Sequence, residues 1–360
     1  MRSVNYLPLP GRWESRRDSI GSTYEVWEPG IMARIPDELI GCVFFLYPSL
    51  AEAKANAPVG ASGFFVGIEW ESNQLRQHLY AVTNKHCITK CSDHVVLRAT
   101  KIGGDLEFIE SDPIEWHPLA GHDVSVFPIS PAKAANFQYV SSGRFSSPDD
   151  FKIGDGRPTS LGLGDKVFMV GRFVSDENTA IDQPSARFGN LSLLASPVRH
   201  PAGYDQESFV VEMRSISGYS GSPTFIYWEF GGGHLDGIKR TMIHSYLGLL
   251  GIEWGHIPVR LPVLNKHGVP LPDETFVKSH TSMSGVVPVW RLQELLNSKG
   301  LKEQRMKDEK DEMEKLKKNP TAEADFASED PTGDKEPNPR HLEDFTRLVD
   351  VAARKRPQGG

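Results

Sequence analysis

The sequence predicts an all-β fold assembled from many short strands. Three observations carry that prediction. The 33 glycines and 26 prolines among 360 residues exceed the roughly 12% of average usage, and such punctuation separates short strands. Phe64, Val66, Ile68 and Trp70 alternate with Phe65, Gly67 and Glu69, the period of two that gives a strand one apolar face. The apolar runs show no alternation with helical patterns, so βαβ units are not expected. Hydrophobic residues make up 39% of the chain, enough for a sizeable core, and a double barrel can use most of this length as one unit.

In chain order, residues 1–37 read as an irregular arm packed on the first barrel, with Pro8, Pro10, Pro29 and Pro36. Its acids Glu14, Asp18, Glu25 and Glu28 argue against a transit peptide. The continuous apolar run Ile40 to Tyr47 predicts a first strand, buried on both faces. Further strands are expected at Phe64 to Trp70, Leu79 to Thr83, Val95 to Arg98, Leu106 to Glu110 and Val124 to Ile129. These make one barrel over about 38–130. A connection rich in Ser, Pro, Gly and Asp follows, and a second barrel spans about 160–298. Its strands are read after the Gly164-Asp165 turn, then at Phe188 to Ala195, Phe209 to Met213, Thr224 to Phe230, Ser245 to Trp254 and Ser284 to Val289. Trp290, Leu292, Leu295 and Leu296 mark one face of a closing helix.

Residues 299–360 form a charged tail. Glu303/Lys307, Asp311/Lys315 and Glu314/Lys318 pair at helical spacing. Residues 319–339 read as a disordered linker with Pro320, Pro331, Pro337 and Pro339 among acids. Asn338 can then cap a short helix whose face is Leu342, Phe345, Leu348, Val349 and Ala352. Too short to be stable alone, that helix must dock, either on its own domain or, through residues 338–356, on a regulatory protein partner.

Composition excludes several classes. The net charge of −7 and the lack of a basic stripe interleaved with aromatics exclude nucleic acid as the expected partner. No apolar run reaches the length of a membrane span, and the first residues lack the apolar core of a secretory signal, so no membrane is expected and the location is expected to be cytoplasmic. Cys42, Cys87 and Cys91 are an odd set that cannot pair completely. Cys87 and Cys91 alone are a poor zinc signature, so reduced thiols, no metal and no cofactor are expected.

The chemistry sits on three separated fragments. Gly218-Tyr219-Ser220-Gly221-Ser222-Pro223 follows the apolar run Phe209 to Met213, and its small residues allow a tight turn with N–H groups converging on one concavity. His86 ends a strand in Ala81-Val82-Thr83-Asn84-Lys85-His86-Cys87, and Asp123 opens one in His122-Asp123-Val124-Ser125-Val126. Together they resemble the Gly-Asp-Ser-Gly-Gly-Pro, Thr-Ala-Ala-His-Cys and Asp-Val-Ala-Val fragments of the trypsin/chymotrypsin-like serine proteases, in the same order. The leader Gly60-Ala61-Ser62-Gly63-Phe64 and the run Leu163 to Gly171 resemble the bacterial HtrA-like branch. The resemblance covers about residues 38–298. It implies a chymotrypsin-like double β-barrel with a C-terminal helix and a cofactor-free serine endopeptidase acting on protein or peptide substrates.

In that reading His86 takes the proton of Ser220, Asp123 fixes the imidazole, and the N–H groups of Gly218 and Ser220 form the oxyanion hole. Leu250-Gly251-Ile252-Glu253-Trp254-Gly255 resembles the family's substrate-pairing strand, one residue shorter, which implies substrate contacts at Trp254 and Gly255. Arg214 matches the residue at the base of the primary pocket, or pairs with Glu212 on the strand surface. Tyr219 stands where secreted trypsins carry the Asp that binds a new N-terminus, so that form of activation is not available. His122 could serve as the imidazole but lacks the motif, and Ser at position 222 departs from an α/β-hydrolase elbow. Two rivals stay open: a catalytically idle peptide-binding module, and a protease silent until a partner engages the tail.

Overall fold

The computed structural model describes residues 34–73, 76–91, 93–152, 161–174, 180–213, 218–229, 245–264, 267–268 and 276–318, with the backbone of 14–17 and 23–26. The chain divides into two units, Met1–Arg305 and Met306–Gly360. The linker and terminal helix expected beyond residue 318 lie outside the described residues, as does Arg214.

The expected irregular arm contains an antiparallel pair, β1 (Glu14–Arg17) with β2 (Thr23–Val26). The apolar run at Ile40 also divides differently from expectation. Residues Asp37–Gly41 form α1, and the strand β3 starts at Val43 and ends at Tyr47. Pro36 before the helix and Asp37 and Glu38 in its first turn favour that start, because proline blocks the preceding turn and acids suit a helix N-terminus. Leu39 still goes into the core, fully buried.

The first sheet continues with β4 (Ala61–Glu69), β5 (Gln77–Thr83), β6 (Val95–Thr100), β7 (Leu106–Ser111), β8 (His117–Pro118) and β9 (Ser125–Pro128). Between them lie α2 (Leu50–Ala55) and α3 (Lys85–Thr89). Strand order is β7-β6-β3-β4-β5-β9-β8, an open sheet, and the short β10 (Val140–Ser141) adds in parallel to β4. After α4 (Pro131–Ala134) and that strand, β11 (Lys166–Val174), β12 (Ala180–Arg199), β13 (Asp205–Glu212), β14 (Pro223–Glu229), β15 (Ser245–Pro262) and β16 (Phe276–Pro288) close into a barrel in the order β11-β12-β13-β16-β15-β14. The helix α5 (Val289–Leu296) follows. A final helix, α6, spans Lys299–Lys318. This is the chymotrypsin-like double-barrel architecture the sequence predicts, with its first half an open sheet.

Three strands outrun their predicted lengths. β12 has 20 residues and β15 has 18, and β16 begins at Phe276 rather than Ser284. Alternation is lost there because β12 and β15 carry register shifts against their neighbours. A bulge moves every later side chain to the other face.

Alternation on β3, β4 and β5 partitions the core. Phe44, Leu46, Phe65, Leu79 and Ala81 enter a cluster of the first half alone, with Trp116 and Phe137. Val43, Phe45, Phe64, Val66, Tyr80 and Val82 join a cluster that also contains Phe168, Val170, Phe225, Leu249 and Trp254 of the barrel. Leu292, Leu295 and Leu296 of α5 complete it. The two halves therefore share one apolar core, and burial at about 25 cal/mol per Å² of apolar surface holds their seam closed. Arg305 ties the chain after α5 to both ends of this core, donating to Tyr80 Oη at 3.1 Å and to the carbonyl of Leu296 at 2.8 Å.

Candidate active site

His86 lies in α3, directly after β5, with Asn84 as its N-cap residue. Asp123 precedes β9, which pairs with β5 at Thr83↔Ser125. One ladder thus delivers both groups to the same end of the sheet. Asp123 Oδ2 is 2.6 Å from His86 Nδ1, and Oδ1 accepts the backbone N–H of His86 at 2.9 Å. Asn84 Nδ2 donates to the Asp123 carbonyl at 2.8 Å. The carboxylate is almost fully buried and the imidazole half-exposed. Burial alone would push the Asp123 carboxyl up, but the bonds and charge from His86, with a contribution from His200, hold it below the usual carboxylate range. It is an ionised group placed to accept a hydrogen bond from His86 Nδ1, which leaves Nε2 as the ring's other nitrogen.

The serine loop comes from the barrel, between β13 and β14. Its central peptides are oriented from the other half by Ser62 of β4. The Ser62 N–H donates to the Ser220 carbonyl at 2.9 Å and its hydroxyl to the Gly218 carbonyl at 2.7 Å. The same hydroxyl accepts the Arg172 N–H at 2.8 Å, and the Ser62 carbonyl accepts from Thr83 Oγ1 at 2.8 Å. Gly218 has φ +99°, and a Cβ there would stand 2.9 Å from the Arg172 carbonyl oxygen; at Gly221, φ +89°, it would stand 2.1 Å from the Ser62 oxygen. Both positions need glycine. Tyr219 is fully buried in the barrel, where its hydroxyl meets Ser185. Among the described residues, the N–H groups of Gly218 and Ser220 have no protein acceptor, the condition of a donor pair kept for a developing oxyanion.

Of the three groups expected from the sequence, His86 and Asp123 are joined directly, and the Ser220 backbone is held from the other half by Ser62. No hydrogen bond joins Ser220 to His86 among the described residues; Cys87 Sγ lies 3.6 Å from His86 Nε2 and 3.9 Å from the Ser220 carbonyl. Burial, aided by the charge of Asp123, pushes the Cys87 thiol well up, so it is no competing nucleophile. All three cysteines are free.

The Trp254 indole is buried, donating to Ser208 Oγ at 3.1 Å. β14 stops pairing with β15 at Ile252, and from there β15 runs on beside β16 with Gly255 at φ +144°. The other edge of β15 at Trp254 and Gly255 is thus outside the β14 ladder. His122 is partly exposed, with Nδ1 3.3 Å from the Ala120 carbonyl.

One residue was missed. His200, between β12 and β13, places Nε2 3.3 Å from Asp123 Oδ2, and Gln206 of β13 accepts the Asp123 N–H at 2.9 Å. Burial pulls the His200 pKa down, which keeps it neutral. No motif in the sequence marks it, since only the docking of the halves brings it to the carboxylate. A cavity of about 360 Å³, lined among others by Lys85, His86, His122, His200 and Tyr204, opens here. The ligand atoms of His86, Asp123 and His200 lie within 4.8 Å of one another, close enough to share a cation.

No family model and no curated protein matches the chain. Solved structures similar to it include the MamO protease domain from Magnetospirillum magneticum in its apo form, 14% identical, covering 72% of this chain and 98% of that one with a TM-score of 0.41. The active form of the Rv3671c protease from M. tuberculosis is 14% identical, covering 75% and 92% with a TM-score of 0.38. A glutamic acid specific serine protease described as using a histidine triad in substrate binding is 14% identical, covering 71% and 95% with a TM-score of 0.30.

Proposed function

We propose that the protein is a serine endopeptidase that hydrolyses peptide bonds of protein substrates with His86, Asp123 and Ser220. The observation that carries this is the seam itself. What supports the reading is an imidazole locked by a buried carboxylate, together with a serine loop that has Gly218 at φ +99° and whose Gly218 and Ser220 N–H groups have no acceptor among the described residues. In the reaction, His86 Nε2 takes the Ser220 Oγ proton as oxygen attacks the scissile carbonyl carbon. Asp123 stabilises the imidazolium that results and stays ionised. The Gly218 and Ser220 amides hold the tetrahedral oxyanion, each worth on the order of 3 kcal/mol. His86 returns the proton to the leaving amine, and a water deprotonated by the same imidazole releases the acyl group from Ser220. The strand edge at Trp254 and Gly255 is the proposed substrate-pairing edge, and a cytoplasmic location is part of the proposal.

The 3.6 Å approach of Cys87 Sγ to Nε2, where the serine hydroxyl would bond, favours a second reading. In it the site is set only when a substrate or partner shifts the serine loop; catalytic bonds often tighten only on binding. A fluorophosphonate probe tests both. Labelling that depends on Ser220 supports a formed site, labelling only after a peptide or partner is added supports the second, and none under either condition leaves the idle peptide-binding module.

A further inference from the structure

We propose that His200 is a positioning residue for the acid–base pair, an inference that rests on the protease reading above. From the second barrel it gives Asp123 a second imidazole, so a single carboxylate oxygen holds one ring from each half of the molecule.

The proton assignment follows from the ring's partners. The Ala202 N–H lies 3.2 Å from His200 Nδ1, so Nδ1 accepts and the proton sits on Nε2, 3.3 Å from Asp123 Oδ2. Packing fixes the plane: Tyr204 stacks on the ring at 4.7 Å and Trp254 lies tilted at 4.9 Å. The residue is 6% exposed. Gln206 takes the Asp123 N–H, so the β12–β13 hairpin grips the aspartate at both backbone and side chain. These contacts restrain the carboxylate from rotating away from His86.

The shared oxygen also shares its charge. A donor from His200 draws electron density from Oδ2 and weakens its pull on the His86 proton, which extends the working range toward acid. The other titratable groups lining the cavity beside His200 and Asp123 are Lys85 and His86 of the first half, His122, and Tyr204 on the turn of His200 itself. Burial, with the charge of Asp123 adding, pushes the Tyr204 phenol up to about 12, so that ring stays neutral.

Two variants of the full chain separate donor from packing. His200→Phe keeps a ring between Tyr204 and Trp254 without the N–H, and His200→Gln keeps an N–H near the Nε2 position without the ring. The readouts are the rate of fluorophosphonate labelling across pH and kcat and KM on fluorescein-labelled casein. His200→Phe is expected to lower the labelling rate and kcat about tenfold with KM little changed. It should also move the acid limb of the profile upward by roughly half a pH unit, while His200→Gln stays within about twofold of wild type. An unchanged profile and rate in His200→Phe overturns the inference, as does a His200→Gln variant as slow as His200→Phe.

A wild-type protein that never labels defeats the protease reading instead. The positioning role is then read by proton NMR. Two low-field imidazole N–H resonances are expected in wild type, with that of His200 lost in both variants and that of His86 displaced in His200→Phe but little moved in His200→Gln. A single such resonance in wild type overturns the inference whether or not the enzyme turns over, and His200→Gln keeps the test open if His200→Phe does not fold.

Discussion

The two halves of the molecule contribute in opposite ways. The first is an open sheet that supplies ionisable groups already engaged, His86 and Asp123 bonded at 2.6 and 2.9 Å. The second is a closed barrel that supplies a loop whose donors at Gly218 and Ser220 have no acceptor among the described residues. Each half is finished by the other: Ser62 of the sheet holds the barrel's loop, and His200 and Gln206 of the barrel hold the sheet's aspartate. The arrangement of these groups is thus a property of the seam. Exchanging contacts across it makes barrel docking and site assembly one event.

The sharpest way to break this comparison is Ser220→Ala, expected to abolish fluorophosphonate labelling and lower kcat by at least about a thousandfold on labelled casein. Full activity in that variant would falsify the barrel's role as source of the nucleophile. Asp123→Asn should follow with a loss of roughly 10³- to 10⁴-fold in kcat, since an amide permits the wrong tautomer of His86. A loss that persists unchanged from neutral to alkaline pH would show that the tautomer is the cause, because the ratio of neutral tautomers does not depend on pH.

Contacts that cross the seam should have smaller effects. Arg172 has no exposed surface, donates to the carbonyls of Val59, Ala57 and Asn56, and lies over the rings of Tyr47 and Phe45 at 4.7 and 5.5 Å. Its replacement by Ala should lower stability by about 3 kcal/mol in urea titration; a loss under 1 kcal/mol would mean that the halves hold together without it. Ser62→Ala leaves the Arg172 N–H and Gly218 carbonyl without their bridging hydroxyl. A fall of roughly tenfold in kcat with KM unchanged is expected, and equal falls in kcat and stability-corrected binding would argue against a role in loop orientation.

The smallest effect is on stability against pH. His200 is held neutral below its ordinary pKa, so the unfolded chain takes up a proton before the folded one does. Stability should fall as pH drops below about 6.5 and level off once the folded residue also protonates. Asp123, whose folded pKa is depressed, adds a second loss below about pH 3.9 that ends at its folded value. Urea midpoints from pH 8 to 3 read both, and His200→Gln should flatten only the first.

Local pattern exposed much of this. The fragments around His86, Asp123 and Ser220 are contiguous in sequence, and alternation from Phe64 to Trp70 located a strand that runs from Ala61 to Glu69. The closing helix was legible because Leu292, Leu295 and Leu296 recur on one face. What stayed hidden depends on distant chain segments meeting. His200 gains its role from a residue in the other half, and nothing in the leader Gly60 to Phe64 told Ser62 apart as the residue that bridges to the serine loop. The helix at Asp37 was hidden by the apolar run beyond it, although Pro36 and two acids marked its start. The lengths of β12 and β15 escaped because bulges erase the period that reveals a strand.

Arg172 has a consequence for how the protein is made. A guanidinium stripped of its hydration shell is tolerable only once the Asn56 to Val59 carbonyls surround it, and those carbonyls belong to a segment synthesised more than a hundred residues earlier. The nascent N-terminal portion must therefore wait, incomplete, for its cation to emerge. A ribosome-stalled chain ending before β11 should be protease-sensitive at that segment and become resistant once β11 and its neighbours have left the exit tunnel.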